Sequence, residues 1–236
     1  MRRIQNLMEQ WLFIGPDNRQ EQVNLPHTWN AKDGQDGGND YYRGTCHYEK
    51  TFEKPEFDPE AEEVYLEFLG VNASSDVTVN GKELAHHDGG YSTFRINITE
   101  VLEDRNKLEV TVDNSVNGKV YPQKADFTFY GGIYRDVRFL IVSKEHFDLD
   151  YLGSNGIKIT PEVKENEANV HIETFTNTEE AQVNVQIKDQ DGKVVAEGNG
   201  CDVNLNIQNP IRWHGRKNPY PVSYTHLRAH ETSLHL

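Results

Sequence analysis

The chain has 236 residues and a formal net charge of −14 at pH 7, from 24 basic and 38 acidic residues. Proteins bind nucleic acids largely through Lys and Arg side chains, so this charge predicts no nucleic-acid partner. A membrane span needs about 20 consecutive apolar residues, whereas the longest apolar runs here, such as Phe139–Val142, have four.

Alternating apolar residues predict β-strands along most of the chain, because alternate side chains of a strand share one face. In chain order, the clearest runs are Val64–Phe68, Leu108–Val112, Val137–Ile141, Val183–Ile187 and Val203–Ile207. Three turn dipeptides, Asn80-Gly81, Asn117-Gly118 and Asp191-Gly192, favour tight hairpins between such runs. The only helix predicted is one turn over Thr99–Glu103, capped by Thr99. The sequence therefore predicts an all-β fold.

We expect two domains and a tail. Residues 1–146, rich in aromatic residues and loops, are predicted to form a jelly-roll sandwich of the galactose-binding-like type. Residues 147–220 have the length and strand spacing of an immunoglobulin-like sandwich. Residues 221–236 have no strand pattern. Within them, His226 and His230 have the spacing to share a metal on a helix, but this context gives them no metal role.

The two cysteines, Cys46 and Cys201, lie far apart in the sequence and form neither a CxxC motif nor a disulfide framework. The N-terminal segment contains no apolar stretch of signal-peptide length. We therefore expect a reduced, cytoplasmic protein.

The segment with the most evident chemistry is 121–137, which reads YPQKADFTFYGGIYRDV. Aromatic rings suit the C–H faces of sugar rings, and a carboxylate accepts hydrogen bonds from sugar hydroxyls. An alternative is that the loop folds back on its own aromatic core, with Arg135 and Asp136 paired at the surface. No segment of the sequence identifies the pair of carboxyl groups that glycoside hydrolysis requires.

Residues 125–137, ADFTFYGGIYRDV, resemble a signature of glycoside hydrolase family 2, the β-galactosidase, β-glucuronidase and β-mannosidase group. Other segments resemble the family in the same order along the chain: LPHTWN at 25–30, YYRG at 41–44, VNGK at 79–82, HDGGYSTF at 87–94 and NPIRWHGRKNPY at 209–220. After Tyr220 the sequence departs from the family pattern. We expect residues 221–236 to be read-through of a truncated reading frame.

The resemblance implies a jelly-roll domain, an immunoglobulin-like domain and then a catalytic barrel, before which this chain stops. The catalytic glutamates and the magnesium ligands of the family belong to that barrel, so this chain is expected to contain no catalytic residue and to be inactive alone. The parent protein is expected to be a retaining, exo-acting β-glycosidase of β-galactosidase type. The alternative is a free-standing carbohydrate-binding or structural protein without catalysis.

One family role carries over by position. The family acid six residues before the second glycine contacts sugar hydroxyls and a sodium ion in β-galactosidases, and Asp126 holds that position relative to Gly132. Asp126 is thus the main substrate-binding candidate and a partial sodium ligand. Tyr130 and Phe127 are further candidates, although either ring could pack into the core instead.

No cofactor is expected in this chain, whereas the full-length enzyme would use sodium and magnesium. Its expected partners are a β-linked galactoside or related glycoside, and further copies of itself in a homo-oligomer. No membrane partner is expected.

Overall fold

The computed structural model of the chain describes residues 2–31, 41–121, 128–179, 181–212, 214–217 and 223–224. Strands account for 49% of the structure and helix for 3%, so the all-β prediction is confirmed. Helical structure in the described residues consists of two short 3-10 turns, Thr99–Val101 and Tyr151–Gly153. In this part of the chain, no helix has the length and apolar character that crossing a membrane requires.

The chain divides into two compact units: the first unit, Arg3–Ile141, and the second unit, Val142–Leu236 together with Met1–Arg2. The described strands of the first unit are β1 (Arg3–Asn6), β2 (Trp11–Ile14), β3 (Gln20–Val23), β4 (Thr45–Glu53), β5 (Glu62–Phe68), β6 (Ser74–Val79), β7 (Lys82–Asp88), β8 (Phe94–Asn97), β9 (Arg105–Asp113) and β10 (Val137–Ser143). The last of these strands, β10, ends two residues beyond the boundary of the first unit.

The first unit is a sandwich of two sheets. One has four strands in the order β1-β10-β5-β8, and the other has six in the order β3-β2-β4-β9-β6-β7. Strands that are distant in sequence, such as β4 and β9, are antiparallel neighbours. This is the sandwich predicted for the N-terminal region, and it brings the loops between its strands together at the strand ends.

The core of the first unit follows the predicted alternation. Val64, Leu66 and Phe68 of β5 are fully buried. Trp11 and Tyr48 from the six-stranded sheet are also fully buried and belong to the same hydrophobic cluster. Burying one such side chain contributes about 1.5–3 kcal/mol, so this cluster is a rigid base for the loops.

The second unit contains two three-stranded sheets, in keeping with the all-β prediction, but one of them includes a short strand from residues 221–236, where no strand was predicted. The strands are β11 (Ile157–Val163), β12 (Glu167–Thr174), β13 (Asn184–Lys188), β14 (Val194–Asn199), β15 (Asp202–Gln208) and β16 (Ser223–Tyr224). Their orders are β11-β12-β15 and β14-β13-β16. A separate hydrophobic cluster includes Ile172 of β12, Ile187 of β13 and Leu205 of β15. His226 and His230 lie outside the described residues.

Candidate functional site

A cleft of about 290 Å³ opens in the first unit. Of the three residues predicted to bind substrate, Tyr130 lines this cleft and is 42% exposed. Asp126 and Phe127 lie outside the described residues. We call this feature the aromatic cleft, and the residues that line it are Arg43, Asn72, Ala73, Tyr91, Asn114, Val120, Tyr121, Thr128, Phe129, Tyr130 and Tyr134.

The lining residues come from loops at one end of the sandwich. Arg43 precedes β4, Asn72 lies between β5 and β6, and Tyr91 lies between β7 and β8. Asn114 directly follows β9, and Tyr130 precedes β10. Binding sites are commonly built from loops that a rigid scaffold positions, and the two-sheet core provides that scaffold here.

A buried asparagine, Asn30, ties three of the sequence motifs together. Its Oδ1 atom accepts a hydrogen bond from the backbone N–H of Gly131 at 2.8 Å. Its Nδ2 group donates to the carbonyl oxygen of Tyr42 at 2.9 Å. Asn30 has 0% exposure, so these bonds replace those that water would otherwise supply. The segments 25–30, 41–44 and 125–137 therefore meet at this side chain.

Asn114, which is also fully buried, extends this network. Its Nδ2 group donates to Oδ1 of Asn30 at 3.2 Å and to the carbonyl oxygen of Phe129 at 2.9 Å. Its Oδ1 atom accepts from the backbone N–H of Gly44 at 2.8 Å. The Arg43 side chain adds a bond from its Nε to the Asn114 carbonyl oxygen at 2.9 Å.

The segment around Tyr130 is also held by Asn72. The Nδ2 group of Asn72 donates to the Tyr130 carbonyl oxygen at 2.6 Å. The backbones of Asn72 and Gly132 exchange two hydrogen bonds, of 3.0 and 3.1 Å. The backbone of Tyr130 is thus positioned, while its ring remains partly exposed to the cleft.

The two glycines of this segment are required by close packing. A Cβ atom on Gly131 would lie 2.0 Å from the Trp29 ring. Gly132 has a φ of +132°, and a Cβ atom there would lie 2.5 Å from the His27 carbonyl oxygen. His27 itself contacts the hydroxyl of Tyr48 at 2.8 Å, and burial lowers the pKa of this histidine. The Gly131-Gly132 pair therefore has a structural role in shaping the cleft.

Aromatic rings form much of the cleft surface. Tyr91 is 65% exposed and Tyr121 is 87% exposed. The Tyr134 hydroxyl donates to the carbonyl oxygen of Gly90, and Arg135 donates to the carbonyl oxygen of Tyr91 at 3.2 Å. Tyrosine rings, with a polar tip and an apolar face, are suited to contact a sugar ring.

Sequence reasoning missed several of these residues as site components. Arg43 and Tyr91 lie inside recognised motifs but were not selected, because nothing local indicates that they share a cleft. Asn114 lies in no motif at all. Its position directly after a predicted strand is the one available signal.

Across the described part of the chain, His, Cys, Asp and Glu side chains form no group of three or more that could hold a metal ion. Asp126, the predicted partial sodium ligand, is not among those residues. Its role therefore stays a prediction.

Comparison with known proteins adds independent information. The family profile "Glycosyl hydrolase 2 galactose-binding domain-like" matches residues 38–148. A β-glucuronidase of Bacteroides fragilis is 34% identical over 217 residues, which cover 84% of this chain and 31% of that protein. A β-galactosidase of Thermoanaerobacter pseudethanolicus is 28% identical, with 90% of this chain and 31% of that protein covered.

Among solved structures, the FMN-binding β-glucuronidase from Facaelibacterium prausnitzii L2-6 superimposes with a TM-score of 0.87 at 37% identity. The match covers 95% of this chain and 36% of that one. The chain spans 31%, 28% and 27% of the length of three curated relatives.

Proposed function

Because the chain belongs to glycoside hydrolase family 2, we propose that it is the non-catalytic region of a retaining, exo-acting β-glycosidase. Such an enzyme hydrolyses an O-glycosyl bond with two carboxyl groups, one as nucleophile and one as acid and base. In this proposal both groups belong to a catalytic barrel outside this sequence. The observation that carries the proposal is the convergence of the family motifs on Asn30, which positions the loops of the aromatic cleft.

The sugar is part of the proposal. The relatives from Bacteroides fragilis and Facaelibacterium prausnitzii are named β-glucuronidases, which favours a β-glucuronide as the first candidate substrate. The relative from Thermoanaerobacter pseudethanolicus is named a β-galactosidase. It supports a β-galactoside, the substrate expected from the sequence, as the second candidate.

We further propose that Asp126 contacts the hydroxyls of the bound sugar, with Phe127 and Tyr130 beside it. Tyr130 lies in the lining of the aromatic cleft, four residues after Asp126 in the chain, and this supports the proposal. The sodium and magnesium ions and the homo-oligomer expected for the whole enzyme stay predictions.

The first test compares the chain alone with a chimaera. Alone, the purified chain should not hydrolyse nitrophenyl β-glucuronide or β-galactoside above a blank, because the two-carboxylate mechanism has neither of its groups in this proposal. In the chimaera, the chain replaces the matching segment of the Bacteroides fragilis β-glucuronidase. We expect hydrolysis to be retained. A folded chimaera that is inactive on both glycosides would favour the free-standing binding module instead.

Asp126→Asn in the chimaera tests the residue. A hydrogen bond to a charged group contributes about 1.5–3 kcal/mol, so we expect turnover to fall roughly 10- to 100-fold with an unchanged melting temperature. Asp191→Asn, in an exposed turn of the second unit, is the matched control and should keep full activity. Full activity of Asp126→Asn would contradict the assigned role.

A further inference from the structure

We propose that His86 is a proton-controlled brace for two loops of the aromatic cleft. In its imidazolium form, His86 holds the carboxylates of Asp76 and Asp88 at its two ring nitrogens. Asp88 in turn fixes the segments that carry Tyr91 and Tyr121, which both line the cleft. When the ring loses one of its two N–H protons above neutral pH, the brace opens and both segments loosen. The brace is a property of this chain and does not depend on a catalytic domain.

The geometry around His86 requires the charged form of its ring. His86 lies on β7, at the edge of the six-stranded sheet, and directly opposite Asp76 of β6. Its Nδ1 atom is 2.6 Å from a carboxylate oxygen of Asp76, and its Nε2 atom is 3.1 Å from one of Asp88. An ionised carboxylate only accepts hydrogen bonds, and a neutral imidazole has a single N–H to donate. Both contacts are therefore hydrogen bonds only when the ring carries two N–H groups.

Asp88 links this ring to the cleft. It is the last residue of β7, and the loop that follows it carries Tyr91. Its carboxylate accepts a hydrogen bond from the Ser74 hydroxyl at 2.7 Å and pairs with the Lys119 ammonium group at 3.0 Å. Lys119 belongs to the segment after β9 and lies two residues before Tyr121. One carboxylate thus joins two segments of the cleft, and His86 fixes the position of that carboxylate.

The charged groups around His86 come from three parts of the first unit. Among the described residues, the carboxylates of Asp76 and Asp88 face the ring. Lys119 shares the Oδ2 atom of Asp88 with the ring, so two negative charges lie beside it against one positive charge. His87 follows His86 in the chain, and its side chain therefore lies on the opposite face of the strand. Burial lowers the pKa of His87, which separates its titration from that of His86.

These contacts determine the sign of the pH dependence. Hydrogen bonding to Asp76, and then to Asp88, raises the pKa of His86. Hydrogen bonds from Ser74, Lys119 and His86 lower the pKa of Asp88 to about 2, so Asp88 stays charged where His86 titrates. A histidine whose pKa is raised on folding stabilises the protein below its unfolded-state value of about 6.5, and this contribution is lost as the pH rises through the folded-state pKa. The brace is therefore closed at acidic pH and opens above about pH 6.5.

The experiment follows the whole chain by NMR from about pH 5.5 to about pH 9, the range around the titration of a histidine. The ring signals of His86 should give a pKa above the ordinary value of 6.5, and the amide shifts of Tyr91 and Tyr121 should change with the same midpoint. At the start of the Tyr91 loop, the Gly89 N–H donates to the Ala73 carbonyl oxygen at 2.9 Å. The hydrogen-exchange protection factor of Gly89, which is corrected for the intrinsic effect of pH, should fall about two- to fivefold across the midpoint, the range typical of a partly exposed ion pair.

Two variants assign the pH dependence to this cluster. His86→Gln has no titrating ring, so the shared midpoint should disappear from the Tyr91 and Tyr121 amides, and the Gly89 protection factor should stay at its high-pH value. Asp76→Asn removes a carboxylate that belongs to β6 and to neither cleft segment. In this variant the midpoints of His86 and Tyr91 should fall together, which a merely structural role of Asp76 would not produce. Melting temperatures establish that each variant is folded.

A matched control lies in the second unit. His171 also pairs with an aspartate, Asp202, at 2.8 Å, and His171→Gln should leave the Tyr91 midpoint unchanged. The inference fails if the His86 midpoint lies at or below 6.5, if the Tyr91 amide does not follow it, or if Asp76→Asn leaves both midpoints in place. No part of this test uses the chimaera, so such a failure would remove the brace and leave the proposed function standing.

Discussion

Asn30 and Asn114 illustrate how single amide side chains organise the site. The bond from Gly131 to Asn30 joins residues 101 positions apart, and the bond between the two asparagines spans 84. An amide offers two donors and an acceptor oxygen, and each bond matters because an unsatisfied buried polar group costs about 1–3 kcal/mol. The partners come from distant segments, so no local pattern could identify Asn114 as a member of this network.

Gly131 provides the first stability prediction. Gly131→Ala would place a methyl group 2.0 Å from the Trp29 ring, and that ring stacks on Phe13 at 6.1 Å between centroids. Overpacking of this kind destabilises a protein by about 1–3 kcal/mol, so denaturant unfolding should show that the free energy of unfolding has fallen by this amount. Local displacement of the cleft loops should also appear as NMR shift changes at Tyr130.

Gly118→Ala is the matched control, because a Cβ atom at Gly118 would meet nothing within 4 Å and its φ lies outside the left-handed region. Its stability should stay within about 0.5 kcal/mol of the wild-type value. If both substitutions had the same small effect, the close packing against Trp29 would not constrain Gly131.

At the scale of elements, the strands were the most predictable feature. The run Val64–Phe68 lies within β5, and its alternate side chains at 64, 66 and 68 are all buried. Period-two patterns identify strands well because one face must be apolar when it packs on a second sheet. Tyr65 and Glu67 are exceptions, since both lie on the other face of β5 and are nevertheless buried, Glu67 fully so.

The predicted turns were less uniform. Asn80-Gly81 joins β6 to β7 with φ angles of 51° and 77°, as a tight hairpin requires. Asn117-Gly118 does not close a hairpin, because it follows β9 and the next described strand, β10, belongs to the other sheet. The Asn117 side chain instead accepts hydrogen bonds from the backbone N–H groups of Lys119 and Val120.

The predicted cap at Thr99 was also wrong. The 3-10 turn begins at Thr99 and has no side-chain cap. The Thr99 hydroxyl instead accepts a hydrogen bond from the backbone N–H of Val64 at 2.9 Å. A strand thirty-five residues away competes for the same oxygen, and a local capping rule does not include that competitor.

Glu67 connects three neighbouring strands and gives a second stability prediction. It lies directly opposite Arg95 of β8, with Nε 2.6 Å from its carboxylate, and it also pairs with Arg138 of β10. Glu67→Gln would leave buried positive charge without its counter-ion. Removing one partner of a buried ion pair destabilises a protein by about 3–5 kcal/mol, so urea unfolding should show a decrease of that order in the free energy of unfolding.

A comparable pair at the surface serves as the control. Lys158 and Glu173 are also directly opposite on neighbouring strands, but their side chains are 51% and 26% exposed. Exposed pairs contribute about 0–1 kcal/mol, so Glu173→Gln should have little effect. Equal losses for Glu67→Gln and Glu173→Gln would show that burial is not what makes Glu67 important.

At the scale of the whole molecule, composition and alternation were sufficient for the fold class. They were insufficient for the aromatic cleft, because its described lining comes from four separate loops, and which loops meet depends on the order of the strands in the sheets. Sheet order places β4 beside β9 and β10 beside β5, and these neighbours are not consecutive in sequence. The family motifs compensated in part, since they marked the segments that meet at Asn30.

The two hydrophobic clusters give the last prediction. In the described residues, the first unit buries a cluster that includes Leu66, and the second unit buries a smaller, aliphatic one that includes Ile172. Replacing either side chain with alanine should lower the stability of its own unit by about 2–5 kcal/mol. Because each unit has its own core, Leu66→Ala should speed hydrogen exchange mainly within Arg3–Ile141, and Ile172→Ala mainly in β11–β15. If either substitution reduced protection from hydrogen exchange in both units, the chain would unfold as one cooperative body. Comparing the two variants therefore tests whether the two hydrophobic cores belong to two separate folding units.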